Sequence, residues 1–143
     1  MSESIVSKEV MREPQNFIHL FNTTWIQWMT SLQKQLPELH DEFDTILNKL
    51  YAARENDANY LMFAFQQYTA PYIQLIKQRD TAYFDILCDI SQRQGIPPGF
   101  KTQFQYLTTK QQDQIWVTLD TLVKFVCKVY PAYKEEVERV MRC

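Results

Sequence analysis

The sequence predicts an all-α, single-domain bundle of about five to seven helices, built around a central hydrophobic helix near residues 109–130. Three observations predict it. Glycine occurs only twice, and both copies lie in one short stretch, GIPPG (95–99). Apolar residues recur at i, i+3 and i+4 along most of the chain, the spacing of one helix face. No alternating apolar and polar run bounded by turn residues marks a strand. The 143 residues fit one domain, long enough to bury roughly 68–70% of the unfolded surface without metal or disulfide staples.

Prolines punctuate the helices, because Pro suits a helix's first turn and breaks its interior. Residues 1–13 read as a polar N-terminal segment, and Pro14 as the start of the helical domain 14–143. The first helix carries Phe17, Phe21, Trp25, Trp28 and Leu32, and ends at Leu36-Pro37. Pro37 opens a second helix, with Leu39, Phe43, Ile46, Leu47, Leu50 and Tyr51 on its apolar face. The polar run ENDAN (55–59) stops it, and Asp57 is placed to N-cap a third helix containing Leu61, Ala64, Phe65 and Tyr68.

Pro71 opens APYIQLIKQRDTAYFDILCDI (70–90), where Lys77, Arg79 and Asp80 interrupt a helical apolar pattern. Asp disfavours helix interiors but caps helix starts, since its carboxylate accepts orphan N–H groups. Arg79 and Asp80 therefore read as a joint between two helices. The axis should change within about two residues of Asp80, with the carboxylate on the N–H groups of residues 82–83 or on a nearby Arg.

After the GIPPG loop and a short turn at 100–107, Thr108 and Thr109 each precede a Gln by three residues, a capping-box signature. The helix announced there carries Ile115, Leu119, Leu122, Val126 and Val129 on one row, with Trp116, Val123 and Cys127 beside it. Trp25, Trp116, Leu119 and Leu122 are the candidate core. Pro131 breaks this helix, and AYKEEVERVMRC forms a last amphipathic one.

Composition narrows the function. Fifteen basic residues are scattered among 17 acidic ones, for a net charge of −2. A nucleic-acid partner calls for clustered Lys and Arg, so none is expected. Cys88, Cys127 and Cys143 are an odd set without disulfide-scaffold density and point to a reducing compartment. With His19 and His40 they show no metal-ligand spacing, so no metal is expected. The N-terminus lacks the apolar core of a signal peptide, so secretion is not expected. The most apolar run, 115–130, is shorter than the ~20 residues of a membrane span and contains Asp120, Lys124 and Lys128.

No glycine-rich phosphate loop is present, and no nucleophile–base set stands out. The acidic groups Glu38/Asp41/Glu42 and Glu135/Glu136/Glu138 sit at helix starts, where the dipole favours them. No catalytic residue and no cofactor is expected. The aromatic load is high, with 3 Trp, 8 Tyr and 9 Phe. Because Tyr and Trp are enriched at protein interfaces, Tyr60, Tyr72 and Tyr133 are the candidate interaction residues.

Three stretches together resemble a pattern found in small proteins of nucleocytoplasmic large DNA viruses. They are FNTTWIQWMTSLQKQLPE (21–38), PYIQLIKQRDTAYF (71–84) and YLTTKQQDQIWVTLDTLVKFV (106–126), covering roughly residues 17–130. Val117-Thr118 stand where that pattern has Lys-Tyr. The resemblance implies an all-α, non-enzymatic structural or protein-interaction protein, associated with the virion or capsid and located in the virion or host cytoplasm. Its partners would be other proteins, including viral structural proteins. The alternative is a host-directed helical module that offers a groove to a cellular partner.

Overall fold

The computed structural model describes residues 2–85, 97 and 99–142, with side chains for residues 14–85, 97 and 99–141. It is all-α, with no strand among the described residues. Helix α1 spans Ser2–Gln35. A 3-10 turn at Pro37–Leu39 leads into α2, His40–Asn56. Helix α3 spans Tyr60–Thr69 and α4 spans Ile73–Lys77, joined by a second 3-10 turn at Ala70–Tyr72. Residues 82–85 are helical. Helices α5 (Phe100–Phe104), α6 (Thr109–Val129) and α7 (Pro131–Arg142) complete the bundle. Most of GIPPG, and Leu87, Cys88, Ile90 and Cys143, lie outside the described residues.

Local chemistry accounts for most boundaries. Leu36 is pushed to φ −124° ahead of Pro37 and ends α1. Thr108 and Gln111 form a reciprocal capping box at the start of α6: Gln111 N–H donates to Thr108 Oγ1 at 3.1 Å, and Thr108 N–H donates to Gln111 Oε1 at 2.9 Å. Tyr130 leaves the helical region at φ −115°, ψ 100°, and Pro131 opens α7.

Two starts differ from the sequence expectation. Pro14 lies inside α1, not at its beginning. The helix therefore runs back through residues 2–13 of the stretch read as a polar N-terminal segment. That stretch holds three Glu with Lys8, Met11 and Arg12, all good helix formers, and its helical backbone absorbs the one amide donor that Pro14 lacks. Asp57, expected as the N-cap of α3, instead caps the turn before it. Its Oδ1 accepts Asn59 N–H at 2.9 Å, and its carbonyl accepts Tyr60 N–H at 3.1 Å. The helix proper starts at Tyr60.

One contiguous core unites the helices. Helix α1 contributes Ile18, Phe21, Trp25, Ile26, Trp28, Met29 and Leu32; α2 contributes Phe43, Ile46, Leu47 and Leu50. Helix α6 contributes Ile115, Trp116, Leu119, Leu122, Val123 and Val126. Helix α1 packs chiefly on α6 and α2, and α7 closes against α6 and α4. Leu119 and Leu122 are fully buried, whereas Val117 on the same helix is 39% exposed. The centre of the bundle is thus the α1–α6 pair, with one face of α6 left in solvent.

Polar contacts latch the outer elements onto this pair. Asn22 Nδ2 donates to Ala58 O at 2.9 Å, fixing α1 to the α2–α3 turn. Thr69 and Tyr133 share a buried hydroxyl–hydroxyl hydrogen bond of 2.9 Å between α3 and α7. Lys77 Nζ donates to Val140 O at 2.9 Å, near the end of α7 where helix carbonyls lack partners. Gln103 Nε2 donates to Glu38 Oε2 at 2.9 Å, and a Cβ added to Gly99 would meet Leu39 Cδ2 at 3.0 Å. Side chain and backbone together therefore hold α5 close over the first 3-10 turn.

Two substitutions on α6 should separate its buried and solvent faces. Leu119→Ala removes a fully buried side chain and should cost roughly 2–5 kcal/mol in urea unfolding. Val117→Ser, on the exposed side, should change stability by less than about 0.5 kcal/mol. Equal effects would mean that α6 does not bury the face assigned to it.

Candidate interaction surface

The charged cluster that interrupts the apolar pattern at 77–80 forms the connection between α4 and the next helical stretch. Asp80 N–H donates to Leu75 O at 2.9 Å, and Arg79 N–H donates to Ile76 O at 3.1 Å. This pair of bonds is a Schellman ending, and it requires a left-handed residue at its corner. Arg79 occupies that corner at φ 53°, the one non-glycine with positive φ among the described residues. Asp80 then starts the following helix. Its Oδ1 accepts Ala82 N–H at 2.9 Å, and its carbonyl accepts Tyr83 N–H at 3.0 Å.

The two cations of the cluster are engaged by other helices. Arg79 Nη1 pairs with Asp113 Oδ1 of α6 at 2.6 Å. Lys77, as described, reaches the end of α7. The joint is therefore a three-way junction of α4, α6 and α7. Asp120, one helical face further along α6, has its carboxyl raised above the usual range by burial, with Arg79 and Lys124 pulling it back.

Burial raises three further groups, Tyr83, Tyr133 and Cys127. Burial, then the neighbouring Tyr133, pushes the Tyr83 hydroxyl well up. Burial also raises Tyr133, against the lowering effect of its hydrogen bond to Thr69. Burial, then Glu138, holds the Cys127 thiol above its ordinary value, so it is protonated at neutral pH. Among the described residues, no group of three or more His, Cys, Asp or Glu is placed to hold a metal ion, and no helix is long and apolar enough to cross a membrane.

The aromatic side chains divide sharply. Trp25, Trp28 and Trp116 are all buried, as are Phe21, Phe43, Phe65, Phe84, Phe100 and Phe104. Seven of these nine form two clusters. Phe21, Trp25 and Phe65 meet edge to face at centroid separations of 5.2–5.6 Å. Phe84 stacks on Trp116 at 4.9 Å and contacts Phe100 and Phe104 at 5.0 and 4.9 Å. Much of the aromatic load is thus core.

Of the three tyrosines expected to face a partner, only Tyr60 is exposed. Tyr72 is half-buried against the core. Tyr133 is 2% exposed and is corrected to a core residue. It falls on the same i, i+4, i+7 row as Val137 and Val140, so burying the apolar face of α7 takes it inside, and Thr69 satisfies its hydroxyl.

Three exposed aromatics lie on α2 and α3, apart from Tyr106, which is 75% exposed between α5 and α6. Tyr51 near the end of α2, Tyr60 at the start of α3, and Phe63 one turn further on are each about 40% exposed, at 42%, 38% and 44%. Arg54 lies over the Tyr51 ring, 5.3 Å from its centroid. Beside them opens a cleft of about 850 Å³, walled by Ala52, Ala53 and Tyr60 and edged by Lys49, Glu55 and Asp57. Tyr51, read from the sequence as part of the apolar face of α2, is corrected to an exposed residue: Phe43, Ile46, Leu47 and Leu50 fill the buried row, and Tyr51 sits about 100° round the helix from Leu50. Phe63 was not singled out from the sequence. The signal for Phe63 was available: YLMFAFQQYT is apolar nearly all round, and Leu61, Met62 and Phe65 take the buried face. Phe63 then has to point outward.

In comparisons with known proteins, the chain matches no family model, no curated protein and no solved structure.

Two measurements probe the junction. Asp80→Ala should cost about 1 kcal/mol by loss of an N-cap. Arg79→Gly should be close to neutral in thermal unfolding, since relief of a left-handed residue, worth roughly 1–2 kcal/mol, offsets a half-exposed ion pair worth about 0–1 kcal/mol. Arg79→Val should destabilise more than either. For Asp120 the sign follows from its raised pKa: the charged form costs stability above the folded pKa, and that cost disappears once pH falls below the unfolded value. Asp120→Asn should therefore be neutral to stabilising at pH 7, and its difference from the parent should vanish in strongly acidic buffer. A variant that is destabilised at pH 7 would show that Arg79 and Lys124 outweigh burial.

Proposed function

We propose that this chain is a non-enzymatic protein that works by protein–protein contact, as a structural or interaction component of a large DNA virus, associated with its virion or capsid. The observation that carries the contact reading is the α2–α3 corner, where three aromatic side chains stay exposed beside an open cleft while all three tryptophans go to the core. Large amphipathic rings held on helix ends supply contact area at low entropic cost. Lys49, Arg54, Glu55 and Asp57 around them provide a polar rim. The viral assignment rests on the resemblance of the 21–38, 71–84 and 106–126 stretches to that group of viral proteins.

The test pairs composition with surface variants. Mass spectrometry of purified virions should find the chain in fixed ratio to a structural protein. Crosslinking from a photoreactive residue at position 63 should capture that same protein. Tyr51→Ser with Tyr60→Ser should abolish capture with little change in melting temperature, since both side chains are exposed. Absence from virions together with capture of a host protein would replace this reading with the host-directed module. Unchanged capture by the double variant would remove the corner from the contact.

A further inference from the structure

A second opening lies away from the α2–α3 corner, between α1 and α6. It is a groove of about 230 Å³ whose polar lining consists of four Gln, two Thr and one Ser, over a floor of Trp28, Leu32 and Ile115. No charged residue lines it, although 22% of the chain is charged. Uncharged amides and hydroxyls concentrated in one concavity offer hydrogen bonds without the desolvation cost of an ion.

Two atoms of the lining residues have unmet hydrogen-bonding capacity. The indole Nε1–H of Trp28 has no acceptor among the described residues, and the residue is 8% exposed. Gln35 Oε1, also buried, has no donor. Buried polar groups in folded proteins are rarely left unmatched, so such atoms call for an explanation. Gln35 Nε2 donates to Ser31 Oγ at 3.0 Å, and Gln111 Oε1 is committed to the capping box. The Gln35 carbonyl oxygen and the Gln111 amide NH2 are the uncommitted halves of those two side chains. Exposed Gln27 and Gln114 add two whole amides. A ligand reaches Gln35 Oε1 by rotation of a side chain held by one hydrogen bond.

We propose that this groove binds a neutral polyhydroxylated molecule of monosaccharide size. An anion or cation would find no counter-charge there, and a purely apolar ligand would strand the amides and the indole N–H. A sugar carries hydroxyls that both donate and accept, which suits Trp28 Nε1–H, Gln35 Oε1 and the paired donor and acceptor of each Gln amide. The volume lies just below the roughly 300–1,000 Å³ of drug-sized ligand sites, so the occupant is one ring and not a chain of them. This site is independent of the α2–α3 contact surface.

The experiment is a titration of the ¹⁵N-labelled protein, read at the indole N–H resonances, with the Trp28 peak assigned from Trp28→Phe. The probes are glucose and N-acetylglucosamine, with glucosamine and glucuronate as charged comparators. Each neutral sugar should shift the Trp28 peak saturably, with Kd below about 10 mM, and leave the Trp25 and Trp116 peaks in place. Gln27→Glu and Gln114→Glu, at exposed positions that the fold tolerates, should each weaken binding at least about tenfold. The proposal is overturned if neither neutral sugar gives a saturable shift at Trp28, if the charged comparators shift it equally, or if both Gln→Glu variants bind unchanged.

Discussion

The contact between α1 and α6 sets the terms for the rest of the molecule. Phe21, Trp25, Met29 and Leu32 on one helix and Ile115, Leu119, Leu122 and Val126 on the other are buried almost to the last atom. Both helices are long, and each presents an apolar stripe too wide to leave in water. Once they pair, every other element has a surface to pack on. Helix α2 folds back along α1, α7 folds back along α6, and the short α3, α4 and α5 fill the ends. Short helices are marginal alone, so α4 and α5, five residues each, exist because this pair gives them something to bury against.

Polar chemistry then determines how the short pieces dock. The hydrogen bonds from Lys77 to Val140 O, from Asn22 to Ala58 O and between Thr69 and Tyr133 each join segments remote in sequence. Each is worth about 1 kcal/mol net, small beside the core, yet each specifies one docking of a short helix over its neighbours. The junction at Arg79 and Asp80 combines both roles. It turns the backbone through a left-handed corner and spends its cations on α6 and α7. Charges that look like a site in the sequence are absorbed by architecture.

The two surface features differ in kind for a physical reason. The α2–α3 corner is a helix end, where side chains splay outward and rings remain accessible at the rim of an open cleft. The α1–α6 groove runs beside the most tightly packed pair, so Trp28 Nε1 and Gln35 Oε1 are screened from water at its base while Gln27 and Gln114 stand exposed at its edge. The first suits a broad protein contact. The second suits a small, hydrogen-bonding guest.

Several helix boundaries and the two central stripes were legible in the sequence, because local rules govern them, while the starts read at Pro14 and Asp57 were not. Leu36-Pro37, Tyr130-Pro131 and the Thr108–Gln111 box act within four residues and leave little for tertiary structure to override. Asp80 was legible for the same reason, as a carboxylate two residues ahead of a new helix, accepting its first amide. Which aromatic ring faces solvent was not legible. Tyr133, Tyr60 and Phe63 are all near helix starts or edges, and their exposure depends on which neighbour covers them: α3 offers Thr69 to Tyr133, whereas Phe63 stays 44% exposed. The groove was equally hidden, since its glutamines stand apart at 27, 35, 111 and 114 and meet only when α1 and α6 pack. The sequence by itself determined the helices, their caps and their buried stripes, since those depend on residues a few positions apart. Tertiary structure alone decided the surfaces, since exposure and concavity are properties of the space left between helices that lie far apart in the chain.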